Sequence, residues 1–224
     1  KFTNLVMLFA PVGVGAAIAY TVGHMGLGIL VNLAKALATF YLALLAFLLL
    51  VLLPIALLAK VPIRKFLKAI AEPVSIAFAT TSSEAALPLA MERMEEFGVP
   101  RQTVAFVMPT GYSFNLDGST LYLALASVFV AQAAGIPLSL GQQLTIVFML
   151  MITSKGVAGV PRAVLVILLG TASSFGLPEW PLLALLGIAE LMDMARTSVN
   201  VIGNCLATVV IARWEGEYPP PAIP

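Results

Sequence analysis

The sequence predicts an all-α membrane protein, in which transmembrane helices combine with two re-entrant helical hairpins as an inverted repeat. Three observations predict it. The first is composition: 60% of the 224 residues are hydrophobic, only 10% are charged, and the mean hydropathy is +1.02. A soluble domain carries about 25% charged residues. The second is a set of apolar runs, several of them near the roughly 20 residues that a spanning helix needs. The third is an asymmetric placement of Lys and Arg between those runs.

Composition also excludes. A net charge of +1 gives no electrostatic reason to expect a nucleic-acid partner. The single Cys205 cannot form an internal disulfide, and no zinc-type spacing occurs. No N-glycosylation triplet and no signal peptide are visible. The chain opens at Lys1 and runs almost at once into apolar sequence, which reads as a fragment of a longer protein.

In chain order, residues 1–23 hold a first spanning helix, centred on 4–22, with Pro11 as a kink. Residues 24–60 hold a second, whose core at 36–59 is free of charge. Residues 68–100 are apolar but interrupted at TTSSEAALP, so they read as a first hairpin and its loop. Residues 101–135 form a span with FNLDGST in its middle. Residues 141–177 are interrupted at TSKGVAGVP and read as a second hairpin. Residues 181–213 form a final span with polar residues along it, and 214–224, ending PPPAIP, a cytoplasmic tail. Lys60, Arg64, Lys65 and Lys68 lie in one connection, Arg93 and Arg101 in another, and Arg213 after the last span. The opposite connections, TVGHMGLG, AAGIPLSLG and SSFGLPEWP, carry no Lys or Arg. The positive-inside rule puts the basic set in the cytoplasm, and this requires each interrupted run to enter and leave on one side. Such backbone is tolerated only where protein or a water-filled cavity satisfies it. Two hairpins entering from opposite faces, each followed by a polar-centred span, are a design common among secondary transporters.

Four polar groups stand out. Asn115 and Asp117 are two residues apart, which places them on different faces of a regular helix. With Gly111 before and Gly118 after, a local break is the better reading, and it frees oxygen ligands of the kind hard cations prefer. A charge at the bilayer centre costs about 2.5–3.5 kcal/mol, so a role for Asp117 beyond packing is expected. Asp193, Arg196, Thr197, Asn200 and Asn204 lie at offsets that form one polar stripe on an apolar helix. The Arg196 fork suits a carboxylate and Asp193 an ammonium; the alternative is an internal Asp193–Arg196 pair that neutralises itself. Ser82 and Ser83 at the first tip could present hydroxyls and N–H groups to an anion, or simply cap a helix. The second tip, GVAGVP, could gate a site or be a plain turn. His24 reads as loop, Trp180 and Trp214 as interfacial anchors, and Cys205 and the nine Met as packing. Lys155 and Arg162 read as snorkelling residues.

TGYSFNLDGSTLY, SSEAALP, TSKGVAGVP and DMARTSVNVIGN, in this order, resemble the dicarboxylate/amino acid:cation symporters, the glutamate transporter family. The likeness runs from residue 1 to Tyr218 and is greatest to the bacterial proton/glutamate symporters. It implies that the two opening helices are the fifth and sixth family spans, and that an elevator-type transport domain moves against a fixed scaffold in a homotrimer. An archaeal member has inverted repeats. By motif match, Arg196 would hold the substrate side-chain carboxylate, and Asp193 with Asn200 its α-ammonium. Thr197 and Ser119 would add contacts. Ser82, Ser83 and the backbone at Val157, Ala158 and Gly159 would hold the α-carboxylate. Gly111, Asn115, Asp117, Asn200 and Asn204 match cation-coupling positions.

The departures refine this. Sodium-coupled members have Met at Leu116 and Asp at Asn204. The coupling ion is therefore expected to be H+, with Na+ the alternative. Asp117 becomes the candidate proton carrier, since burial favours the neutral form of a carboxyl. The C4-dicarboxylate branch lacks Asp193, so glutamate or aspartate is the expected substrate. Ala189 replaces a usual acidic residue and Glu190 follows it; Thr81 stands where some relatives carry arginine. No cofactor, catalytic residue or resident metal is expected. The expected setting is the bacterial inner membrane. A channel built on the hairpins and a membrane enzyme using Asp117 and Asp193 are the rival classes.

Overall fold

A computed structural model of the chain describes residues 12–13, 15–16, 18–23, 26–153, 163–174, 176 and 180–218. Residues 154–162, which carry the second hairpin tip with Lys155, Val157, Ala158, Gly159 and Arg162, lie outside the described residues. So do His24, the tail from Pro219 and most of the first span.

The described residues are helical, without strands. α1 is Gly28–Leu58, α2 Ile63–Thr80, α3 Ser83–Glu96, α4 Arg101–Phe114, α5 Asp117–Ala133, α6 Leu140–Thr153, α7 Ala163–Ser174 and α8 Trp180–Trp214. Among the described residues, three stretches are long and apolar enough to cross a membrane: Gly28–Leu58, Arg101–Ala133 and Ala184–Trp214.

Several boundaries differ from the sequence reading, each for a physical reason. α1 begins eight residues before the expected core and takes in Lys35, which is exposed at the edge of the bundle and so does not interrupt the run. Its turn Leu48–Leu52 is π-helical, with Leu53 N–H reaching back to the Leu48 carbonyl. Pro54 follows and has no N–H to give, a usual setting for a π-bulge or kink. α2 starts at Ile63, so Arg64, Lys65 and Lys68 are helical rather than loop. Phe66, Ile70, Pro73 and Ala77 recur on its buried face, while the basic residues take the other face, as amphipathic periodicity requires.

α8 is the central element. It packs against α5, α2, α4, α1 and α3, while α6 and α7 pack on α5. The apolar core falls into two clusters along α8. One joins α1, α5, α6 and α7 to the stretch of α8 from Leu182 to Val199. The other joins the end of α1 with α2, α3 and α4 to the stretch from Val201 to Ala212. The division on α8 falls at Asn200, and on the α4–α5 pair at the break between Tyr112 and Tyr122. Phe47 and Leu48, at the π turn, touch both clusters.

The α2–α3 pair is a helical hairpin, turned by Thr81 at φ 52° and Ser82 in extended conformation. The three basic connections meet at one end of the bundle. Phe66 is edge-on to Phe97 at 5.9 Å, Phe97 stacks on Tyr218 at 5.5 Å, and Thr103 Oγ1 donates to Glu217 at 2.6 Å. Arg213 lies 5.5 Å over the Tyr218 ring. This shared end is what a single cytoplasmic face for Lys60, Arg101 and Arg213 requires.

Candidate functional site

The break in FNLDGST is present. α4 ends at Phe114, Asn115 and Leu116 leave helical geometry, and α5 restarts at Asp117. Asn115 N–H caps α4 on the Gly111 carbonyl at 2.7 Å. The restart presents the first N–H groups of α5 to α8: Gly118 N–H donates to Asn200 Oδ1 at 2.8 Å and Ser119 N–H to the same oxygen at 3.4 Å. These are helix N-terminal donors with no partner inside their own helix, so Asn200 closes the break from across the interface.

The polar stripe of α8 faces this restart. Asp193 and Arg196 are each 9% exposed, Thr197 2%, Asn200 5% and Asn204 2%. Arg196 Nε donates to Asp193 Oδ1 at 2.6 Å. Its Nη1 donates to Ser119 Oγ at 2.8 Å, and Asn200 Nδ2 donates to the same hydroxyl at 3.0 Å. The guanidinium also lies 5.8 Å over the Tyr122 ring, within cation–π range. Of the two sequence alternatives for Asp193 and Arg196, the structure shows the internal pair. Ser119 and Tyr122 then fix where the rest of the fork points.

One turn further along α8, Asn204 Nδ2 donates to the Met108 carbonyl at 3.0 Å. Its Oδ1 is buried with no hydrogen-bond partner among the described residues, directly against Gly111. A Cβ on Gly203 would lie 2.5 Å from Asp117 Oδ2 and 3.5 Å from Asn115 Nδ2. The α4–α5 break thus meets α8 in three approaches along the seam between the two apolar clusters: Gly118 on Asn200, Gly111 on Asn204, and Asp117 with Asn115 at Gly203. The oxygens of Asn204 and Asp117 are there, and Gly111 and Gly203 are the residues small enough to let them approach. The arrangement could hold a small cation or a proton. Among the described residues no three His, Cys, Asp or Glu side chains group as a metal centre.

The first hairpin tip is different. Ser82 is the N-cap of α3: its Oγ accepts from Ala85 N–H at 3.2 Å and donates to Glu84 Oε2 at 3.0 Å. Ser83 is the first residue of α3. Among the described residues, neither serine hydrogen-bonds to Asp193 or Arg196. The capping alternative holds for Ser82, and its hydroxyl is committed to the helix start. A groove of about 710 Å³ lies elsewhere, between α1, α5 and α6, and none of the expected site residues lines it.

Sequence reasoning missed Tyr122 and Gly203. Tyr122 lies three residues after Ser119, so a helix starting at Asp117 puts both on one face. Gly203 precedes Asn204 within the stripe, but only the approach of α5 gives its missing side chain meaning. Cys205, Met94, Met108 and Met192 are fully buried, as packing residues should be, and Trp180 and Trp214 stand exposed at the two ends of α8.

A family model described as the sodium:dicarboxylate symporter family matches residues 1–214. Similar curated proteins include the proton/sodium-glutamate symport protein of Bacillus caldotenax, 47% identical over 216 residues, covering 96% of this chain and 51% of the relative. The proton/glutamate-aspartate symporter of Escherichia coli (strain K12) is 46% identical over 218 residues, 97% of this chain and 50% of the relative. The C4-dicarboxylate transport protein of Solibacter usitatus is 45% identical over 218 residues, 97% of this chain and 51% of the relative. The chain spans about half the length of the curated relatives it matches.

Proposed function

The chain belongs to the sodium:dicarboxylate symporter family, and from that premise we propose that the full-length parent is a symporter of acidic amino acids, glutamate or aspartate, driven by protons. Members of this family are transporters, not enzymes. The observation that carries the reading is the nine-tenths-buried Asp193–Arg196 pair at 2.6 Å, joined through Ser119 to Asn200. An acidic amino acid brings one group for each member of that pair. Its ammonium replaces the guanidinium at Asp193, and its side-chain carboxylate replaces Asp193 at Arg196. Exchange of partners keeps every buried charge compensated, which matters because an uncompensated buried charge is strongly destabilising. Tyr122 and Ser119 hold the fork while the partner changes. Thr197, Ser83 and the second tip, at Val157 to Gly159, would complete the site around the α-carboxylate.

Proton coupling is supported by Asn204, a neutral amide that follows Gly203, the glycine that Asp117 Oδ2 approaches; an anionic oxygen in its place would favour a metal cation. Asp117 is the proposed proton carrier. Substrate and proton sites share the Asn200–Asn204 stretch of α8, so occupancy of one bears on the other. The two hairpins are proposed to be re-entrant, the fold to move as an elevator in a homotrimer, and the setting to be a bacterial inner membrane with the Lys60–Arg101–Arg213 end cytoplasmic. Sodium coupling, or a C4-dicarboxylate substrate as in the Solibacter usitatus relative's name, is the alternative. Asp193 weighs against the latter, since a dicarboxylate offers it no ammonium.

The test is uptake of labelled L-glutamate into proteoliposomes holding the full-length parent, with a proton gradient and no sodium. Accumulation that a protonophore collapses supports the reading. Uptake that waits for sodium moves the protein to the sodium-coupled alternative, and succinate uptake without glutamate uptake overturns the substrate.

A further inference from the structure

When Asp193 gives up Arg196 to a substrate carboxylate, the guanidinium is held by Ser119 Oγ at 2.8 Å and by the Tyr122 ring at 5.8 Å. Both residues lie in the first turns of α5, just after Asn115 and Leu116 leave helical geometry. A helix that restarts after a break does not inherit its direction from the helix before it. The placement of Tyr122 therefore depends on what packs against α5.

That neighbour is α1. Phe40 is 0% exposed and meets the Tyr122 ring edge-on, with centroids 5.9 Å apart and planes at 81°. This is a preferred aromatic arrangement, because a positive ring edge meets a negative ring face. Both rings belong to the apolar cluster that joins α1 and α5 to the first half of α8, and close packing leaves buried rings little room to turn. The next residue, Tyr41, points about 100° round the helix and stands at its surface. Its hydroxyl donates to the Leu191 carbonyl of α8 at 2.8 Å. A carbonyl has two lone pairs, so it can accept this bond in addition to the one within its own helix. Leu191 is two residues before Asp193. Two consecutive residues of α1 thus reach both members of the buried pair without touching substrate. Phe40 reaches Arg196 through Tyr122, and Tyr41 reaches Asp193 through the backbone that carries it.

We propose that Phe40 and Tyr41 are positioning residues for the seat of the substrate carboxylate. Phe40 keeps the Tyr122 ring against the guanidinium while its carboxylate partner changes, and Tyr41 fixes α8 at the turn that presents Asp193. The purpose of this role rests on the acidic amino acid reading; the placement of the guanidinium can be read without substrate.

The test uses the full-length parent, Phe40→Leu, Tyr41→Phe and Tyr122→Leu. The first readout is the proton signal of Arg196 Nε–H in ligand-free, arginine-labelled protein, assigned by its loss in Arg196→Lys. An aromatic ring beside that proton displaces its signal, so Tyr122→Leu gives the position without the ring. Phe40→Leu is expected to move the signal from the parent's position toward that of Tyr122→Leu. The second readout is glutamate uptake. Phe40→Leu should raise KM about fivefold, a fraction of what a desolvated cation–π contact can supply, and Tyr41→Phe about threefold, from one hydrogen bond. Both should leave the maximal rate at the parent's value, and Phe40→Leu should add nothing in the Tyr122→Leu background, since it acts through that ring. An Arg196 signal unmoved by Phe40→Leu overturns the proposal, as does a Phe40→Leu effect that adds in full to that of Tyr122→Leu. Should Phe40→Leu not fold, Tyr41→Phe, which removes one oxygen from a surface ring, decides: an unchanged KM overturns the proposal. A parent that takes up no acidic amino acid overturns the transport reading instead, and the Arg196 signal still decides the positioning role.

Discussion

Gly118 is where the break in the α4–α5 pair meets α8 backbone to backbone, and Gly118→Ala tests whether that approach builds the site. A Cβ there would press on the Arg196 carbonyl oxygen and lie 2.9 Å from Arg196 Cα and 3.0 Å from its carbonyl carbon. These are main-chain atoms, which cannot rotate aside. Carbon atoms at ordinary contact are roughly 3.5–4.0 Å apart, so α5 must retreat by about 0.6–1 Å. The same retreat stretches Arg196 Nη1–Ser119 Oγ from 2.8 Å and Asn200 Nδ2–Ser119 Oγ from 3.0 Å, and weakens the Gly118 N–H bond to Asn200 at 2.8 Å. Overpacking of this kind destabilises by about 1–3 kcal/mol. Loss of one hydrogen bond to a charged group is worth about 1.5–3 kcal/mol, and every 1.4 kcal/mol is about tenfold in affinity. The full-length Gly118→Ala variant in detergent should therefore melt several degrees below the parent and bind L-glutamate at least about tenfold more weakly. Gly111→Ala presses instead on the Asn204 side chain, which can turn away by giving up its 3.0 Å bond to Met108. It should leave the melting temperature nearer the parent's and act on the coupling ion. A Gly118→Ala protein with the parent's melting temperature and the parent's glutamate affinity would refute the close approach as the basis of the site.

Asp193→Asn should abolish glutamate uptake, since an amide carries no charge to balance the ammonium or Arg196; unchanged uptake would remove Asp193 from the substrate site. Asp117→Asn should end proton-driven accumulation while sparing exchange of bound glutamate across the membrane, and full proton-driven uptake would sink its role as carrier. Tyr218→Ala removes the stack on Phe97 and the ring under Arg213; an aromatic pair adds about 0.5–1.5 kcal/mol, so a small, uniform fall in thermal stability is expected, with substrate affinity intact. Arg93 donates to Glu72 at 2.8 Å and to Glu96 at 2.6 Å, and these hydrogen bonds, Glu72's first, hold its guanidinium above the ordinary range. A raised cationic pKa contributes stability below the unfolded value and loses it only as pH rises through the folded one, far above neutrality. Glu72→Gln should therefore give a melting temperature whose dependence between about pH 5 and pH 9 matches the parent's, and a step within that window would contradict the assignment.

Much of the fold is legible in one dimension because periodicity and helix breakers are local. Two residues between Phe114 and Asp117 leave helical geometry where Asn, Asp and flanking Gly cannot share a helix face comfortably. The offsets of Asp193, Arg196, Thr197, Asn200 and Asn204 guarantee a common face on any α-helix. Pro62 and the recurrence of Phe66, Ile70 and Ala77 define the start and buried side of α2, though the four basic residues around them disguised it as a connection. Ser82 carried two meanings, anion seat and N-cap, and local sequence could not choose between them.

Composition, periodicity and motif order were enough for the helical class, the broken helix, the polar stripe and the family resemblance. What they could not contain is which surface each face meets. That Asp193 and Arg196 pair with each other, that Tyr122 lies beneath the guanidinium, and that Asn204 and Asp117 each lie against a glycine of the opposite helix depend on the register of α8 against α4 and α5. Helix periodicity says which side of a helix is buried but nothing about its axial offset from a neighbour. That offset comes from the packing of two apolar clusters whose boundary happens to fall at Asn200, and the polar residues collect where those clusters part.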